Sequence, residues 1–222
     1  MSDPVTTRWV LGQLKREYGP LPRQTTSSPV SELVRTVLSQ NTSDVNSDRA
    51  YSCLISTFPT WEGILKADEA QVAAAIRSGG LGNIKAGRIQ VMLKEILRRR
   101  GDLDLSFLRD LPLEMARKWL EELPGVGPKT AACVLLFSLG MPALPVDTHV
   151  LRVARRLGLV PGAATANRAQ GLLEGVLPAE RVYPFHIYLI RHGRLVCRAR
   201  KPLCRRCVLR QRCPSTLAVE SG

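Results

Sequence analysis

Residues Leu123–Val150 read LPGVGPKTAACVLLFSLGMPALPVDTHV. Two helical patterns meet at Leu123-Pro124-Gly125-Val126-Gly127, and Pro128 opens the second helix, where its missing N–H is no loss. The glycines permit positive φ and leave backbone N–H groups uncovered. With the free amides and dipole of the helix start they form an anion cradle that reads no base sequence, as a protein does when it holds a nucleic-acid backbone in register. An ordinary helix-turn-helix corner shows the same glycines, so the pattern alone leaves both readings level. Lys129 follows near the helix start, and eighteen positions on (147 − 129) Asp147 stands in Val146-Asp147-Thr148-His149. Lys129 is a plain surface cation unless it faces a cleft, where a neutral amine attacks a sugar carbon and forms a Schiff base. Asp147 caps the helix that begins at Thr148; in a cleft it would also stabilise positive charge on a deoxyribose. His149 reads as a helix-packing residue.

Outward from this stretch the periodicity is helical throughout. A first helix is expected from about Val5 to Tyr18, followed by a linker through Pro20, Pro22 and the polar run 24–28. Ser28-Pro29 is a helix start, and Val30, Leu33, Val34, Val37 and Leu38 give that helix one buried face. The polar run Ser39-Gln40-Asn41-Thr42-Ser43-Asp44 interrupts it, and helix resumes to Phe58. Thr60 and Asp68 cap two short helices. Gly79-Gly80-Leu81-Gly82-Asn83 is a glycine-rich loop with one exposed leucine. Helices follow over about 85–100, 113–122, 148–157 and, after Pro178, up to His192. No run of alternating β-branched residues supports a strand, so an all-α protein of about ten helices is expected.

The chain of 222 residues carries a formal charge of +13, which favours a polyanionic partner, nucleic acid before an anionic membrane. The longest apolar run, near Ala131 to Leu139, is too short to span a bilayer. With no secretory leader legible, a cytoplasmic or nucleoid location is expected, and Asn41-Thr42-Ser43 is a chance sequon. Cys53 and Cys133 stand alone in helical surroundings and read as buried hydrophobes. Cys197, Cys204, Cys207 and Cys213 crowd into one segment with spacing C-x6-C-x2-C-x5-C, which argues for a metal rather than disulfides. Zinc and an iron–sulfur cube both fit that spacing. Nine basic residues and no acid lie between Arg191 and Cys213, a surface suited to phosphates.

LPGVGPKTA at Leu123 to Ala131, VDTHV at Val146 to Val150, and His192-Gly193-Arg194 followed by the four-cysteine loop together resemble the endonuclease III family of DNA glycosylases. Weaker similarity reaches back to Leu38. The resemblance implies two helical domains. One is a six-helix barrel over residues 30–142, with the helix-hairpin-helix at about 113–139. The other is discontinuous, residues 1–29 plus 143–222, with a [4Fe–4S] cluster on the loop 197–213. It also implies double-stranded DNA with a damaged base or abasic site as partner, a monomer, and a nucleotide flipped out of the duplex. Lys129 then matches the amine that displaces an oxidised pyrimidine and, through β-elimination, nicks the strand; Asp147 matches the essential carboxylate. Gly125, Val126 and Gly127 match the backbone grip and Leu81 an apolar wedge. The family often has Gln-Ala-Thr-Asp where this chain has Gln40-Asn41-Thr42-Ser43-Asp44, so either Gln40 or Asn41 inserts into the duplex.

Three other readings are weighed beside this one. An adenine glycosylase usually lacks the lysine and carries a further C-terminal domain, whereas this sequence has Lys129 and ends nine residues after Cys213. A mismatch-specific thymine or uracil glycosylase shares the scaffold. A non-catalytic iron–sulfur DNA-binding protein would use the same hairpin and cysteines, and only Lys129 with Asp147 speaks against it.

Overall fold

The computed structural model describes residues 6–21 and 27–216. Among them are eleven α-helices, four 3₁₀ turns and no strand, in keeping with the all-α expectation. Polar caps explain many of the starts. Thr6, Ser28, Ser43, Thr60, Asp147 and Thr165 each accept from the backbone N–H three residues on, satisfying one orphan donor of the helix. No helix among the described residues is long and apolar enough to cross a membrane. The expected start at Val5 and the linker at residues 22–26 lie outside the described residues.

The described residues form two compact units, one from 27–141 and one from 6–21 with 142–216. The first holds α2 (Pro29–Ser39), α3 (Asp44–Thr57), α4 (Trp61–Lys66), α5 (Glu69–Ala75), α6 (Gly82–Arg100), α7 (Leu113–Glu121) and α8 (Pro128–Phe137). From Thr130 to Leu136 every residue of α8 is buried, as expected of a helix apolar all round. α2 and α7 pack against α8, and α6 lies along α4 and α5. Two details depart from the periodicity reading. α6 begins at Gly82 rather than Lys85, because Leu81 takes a left-handed φ of 52° and Gly82 closes on α5, where a Cβ would lie 2.9 Å from Ala73 O. Cys53 is exposed, not buried: the inner face of α3 is Ser47, Ala50 and Leu54, and Cys53 points the other way.

The second unit holds α1 (Thr7–Tyr18), α9 (Thr148–Arg156), α10 (Ala166–Glu174) and α11 (Ala179–Leu195). α11 packs on both α1 and α9. Gly193 makes the α9 contact possible, since a Cβ there would sit 3.0 Å from His149 Cβ. His149 thus keeps its packing role. The helix ends at Leu195, beyond the His192 expected from the sequence, and hands the chain to the cysteine loop.

Candidate nucleic-acid and catalytic site

The hairpin is built as its glycines require. Gly125 has φ 77°, and Val126 N–H donates to Leu123 O at 3.1 Å to close the turn. Leu123 and Val126 are buried beneath it while Gly125 and Gly127 stay exposed. Val126 is therefore an anchor with its amide already used. The first intrahelical bond of α8 runs from Ala131 N–H to Gly127 O at 3.0 Å, which leaves the amides of Lys129 and Thr130 ahead of the ladder. Lys129 itself is exposed. An open groove of about 370 Å³ runs between α6 and the hairpin, lined by Asn83, Ile84, Arg88, Val91, Pro124 and Gly125 among others.

The two candidate probing loops lie in this same unit. Gln40 is tied down: its Oε1 accepts from Arg88 Nη1 at 3.2 Å. Asn41 next to it is exposed in a left-handed conformation, φ 55°. Leu81 is 54% exposed and left-handed as well, a backbone state uncommon for a bulky residue. Arg88 also packs its Cδ about the hairpin, 4.0 Å from where a Cβ of Gly125 would be. Arg88 thereby links one loop to the hairpin. No motif in the sequence marks this arginine, which stands within a helix.

Asp147 belongs to the other unit, where it is half-buried and its Oδ1 accepts from Val150 N–H at 2.7 Å. The extended segment before it is clamped. Glu174 Oε1 accepts from Leu144 N–H at 2.6 Å, and the buried His186 donates from Nδ1 to Pro145 O at 2.9 Å. The approach to Asp147 is thus held from two helices, α10 and α11.

All four tail cysteines line one small cavity, together with Arg156, His192 and Leu209. Two of the sulfurs have nitrogen neighbours: Arg156 Nη1 donates to Cys197 Sγ at 3.4 Å, and His192 Nε2 lies 3.4 Å from Cys207 Sγ. His192 Nδ1 faces Tyr18 Oη at 2.9 Å. Burial sets the proton affinities here. It pulls His192 down to about 4, and with Glu17 and the nearby cysteines it pushes Tyr18 up to about 12. It also pushes the Cys207 thiol up to about 11. Among the described residues no group of three or more His, Cys, Asp or Glu is gathered closely enough to hold a single metal ion. The donor set, four soft thiols around one cavity with N–H groups beside two of them, suits an iron–sulfur cluster.

Several cations in and around the tail turn out to be structural. Arg152 donates to Cys197 O and Gly193 O at 3.0 and 2.8 Å, and Arg156 to Arg198 O at 2.7 Å, so α9 holds the start of the cysteine loop. Arg191 stacks over Tyr18 and Arg212 over Trp9. Arg200, Lys201, Arg205 and Arg206 remain exposed.

Comparison with known proteins places this arrangement. Residues 34–179 match the family described as HhH-GPD superfamily base excision DNA repair protein. Endonuclease III of Rickettsia conorii is 36% identical over 82% of this chain and 81% of its own. A protein of Arabidopsis thaliana, named provisionally as a DNA glycosylase, is 40% identical over 78% of this chain, which spans only 59% of that protein's length. In three dimensions the chain is similar to endonuclease III in a non-covalent complex with DNA, with a TM-score of 0.84, 27% identity and coverage of 98% of this chain and 100% of that one. This chain belongs to the endonuclease III family, within the HhH-GPD superfamily of base excision DNA repair proteins.

Proposed function

We propose that the protein is a base excision DNA glycosylase with abasic-site lyase activity, acting on oxidised pyrimidines in duplex DNA. The observation that carries the reading is the exposed Lys129 at the mouth of α8, directly after a hairpin that offers amides to a phosphate. The Lys129 amine attacks C1′, and the C1′–N bond breaks with its electrons leaving on the base, which takes up a proton. The amine gives up a proton, the C1′–O4′ bond of the sugar ring then breaks with O4′ taking a proton, and the iminium so formed acidifies C2′. Loss of a C2′ proton expels the 3′ phosphate, nicking the strand, and water hydrolyses the imine to release Lys129. Asp147, by family likeness, stabilises the positive charge that grows on the sugar. Asn41 and Leu81 fill the gap in the stack; Asn41 is preferred to Gln40 because the Gln40 amide is already bonded to Arg88.

Cys197, Cys204, Cys207 and Cys213 would hold a [4Fe–4S] cluster, which when bound supplies a fixed, negatively charged core for the loop. Ligation is what would turn the buried Cys207 into a thiolate. The exposed cations from Arg200 to Arg206 then face the DNA backbone.

Borohydride added during incubation with a duplex carrying one abasic site should trap a covalent protein–DNA species. Lys129→Gln should abolish the trap while leaving duplex affinity within about threefold, since phosphate contacts carry most of the binding. No trapped species with the unsubstituted protein would remove the lyase assignment. A panel of duplexes with single defined lesions tests the choice of base: preferred release of thymine or uracil from mismatches would transfer the protein to the alternative reading.

A further inference from the structure

One buried side chain holds the roots of both probing loops. Lys85 is 2% exposed, although a lysine head ordinarily stays in water. Its Nζ donates to Leu38 O at 2.7 Å and to Gly79 O at 2.8 Å. Leu38 is in the last turn of α2, two residues before Gln40, and its carbonyl is one of the helix's orphan acceptors. Gly79 ends the 3₁₀ turn Arg77–Gly79, two residues before Leu81. The two roots also lie close together: a Cβ built on Gly79 would stand 3.9 Å from Leu38 O, and 3.1 Å from Ala50 Cβ of α3. Arg88, three residues along α6 from Lys85, adds the bond to Gln40. The first turns of α6 therefore grip one loop by backbone and side chain, and the other by backbone.

A core filler would not look like this. Burying an ammonium group costs desolvation, which pulls the Lys85 amine below the ordinary lysine range. Methionine would fill a similar volume without that cost. What only the lysine supplies is a donor to two separate backbones at once.

We propose that Lys85 is a positioning residue that couples the loop carrying Asn41 to the loop carrying Leu81, so that both enter the duplex in fixed register. This rests on the reading of those loops as duplex probes. The coupling matters only where a flipped nucleotide leaves a hole to be filled, so a single strand carrying the same abasic site does not need it.

The test is Lys85→Met, read by amide hydrogen exchange and by nicking of one abasic site in duplex and in single-stranded form. Exchange is expected to rise in both loops, residues 39–44 and 79–83. Nicking of the duplex should fall about tenfold and that of the single strand less than about twofold, the scale of a small misplacement at a reacting centre. An equal fall on both substrates, or faster exchange in one loop alone, would overturn the proposal. Should the unsubstituted protein nick neither substrate, the lyase reading fails, and the exchange pattern alone then upholds or overturns the tie. If Lys85→Met does not fold, exchange in the unsubstituted protein decides: the two loops should open in one correlated event, and two independent events contradict the coupling.

Discussion

Asp147 caps a helix, and substitutions can separate that role from its proposed part in turnover. Its Oδ1 caps α9 through Val150 N–H. Asparagine keeps an acceptor in the same place, so Asp147→Asn should leave the unfolding midpoint nearly unchanged while turnover collapses. Asp147→Ala should lose the cap as well, costing about 1 kcal/mol in denaturant unfolding. If Asp147→Asn retained most of the turnover, the carboxylate would be a cap only. The places of Lys129 and Asp147 at helix starts are legible in the sequence because their neighbours Pro128 and Thr148 announce them. Those of Lys85 and Arg88 are not, since their roles depend on loops distant in sequence. A faint signal existed for Lys85: it falls on the inner stripe of α6 with Ile89, Met92, Leu93 and Ile96.

Among the elements, the hairpin shows how two glycines in one motif carry different burdens. Gly125 needs its positive φ of 77°, whereas Gly127 has φ −102° and nothing within 4 Å of a Cβ. Gly127→Ala should therefore fold with a stability change inside about 0.5 kcal/mol. Its methyl would stand between phosphate and amides, and duplex affinity should drop by about 1 kcal/mol, roughly fivefold, as one hydrogen bond is lost. Unchanged affinity in a filter-binding or anisotropy titration would mean that no phosphate approaches there. The helix starts at Ser28, Thr60 and Asp147 are readable in the sequence because these residues cap them. The start of α6 was missed, since a left-handed leucine is not a local preference and is imposed by the packing of Gly82 on α5.

Across the whole molecule, the charge of +13 is not spread as a uniform coat. Arg152 and Arg156 spend their guanidinium groups on the cysteine loop, which the composition could not reveal. The four cysteines are legible as a set from their spacing, and they line one cavity; His192 is legible only as part of His192-Gly193-Arg194, and Arg156 beside them is not. If a cluster fills that loop, the purified protein should be brown with about four irons per chain, and Cys204→Ala should lose both iron and visible absorption. Colourless protein with one tightly bound zinc would contradict it. Whether Lys129 is the nucleophile is read by peptide mapping of the borohydride-reduced adduct by mass spectrometry. The reduced sugar should be found on Lys129; an adduct on any other amine, or undiminished trapping by Lys129→Gln, would show that another amine attacks.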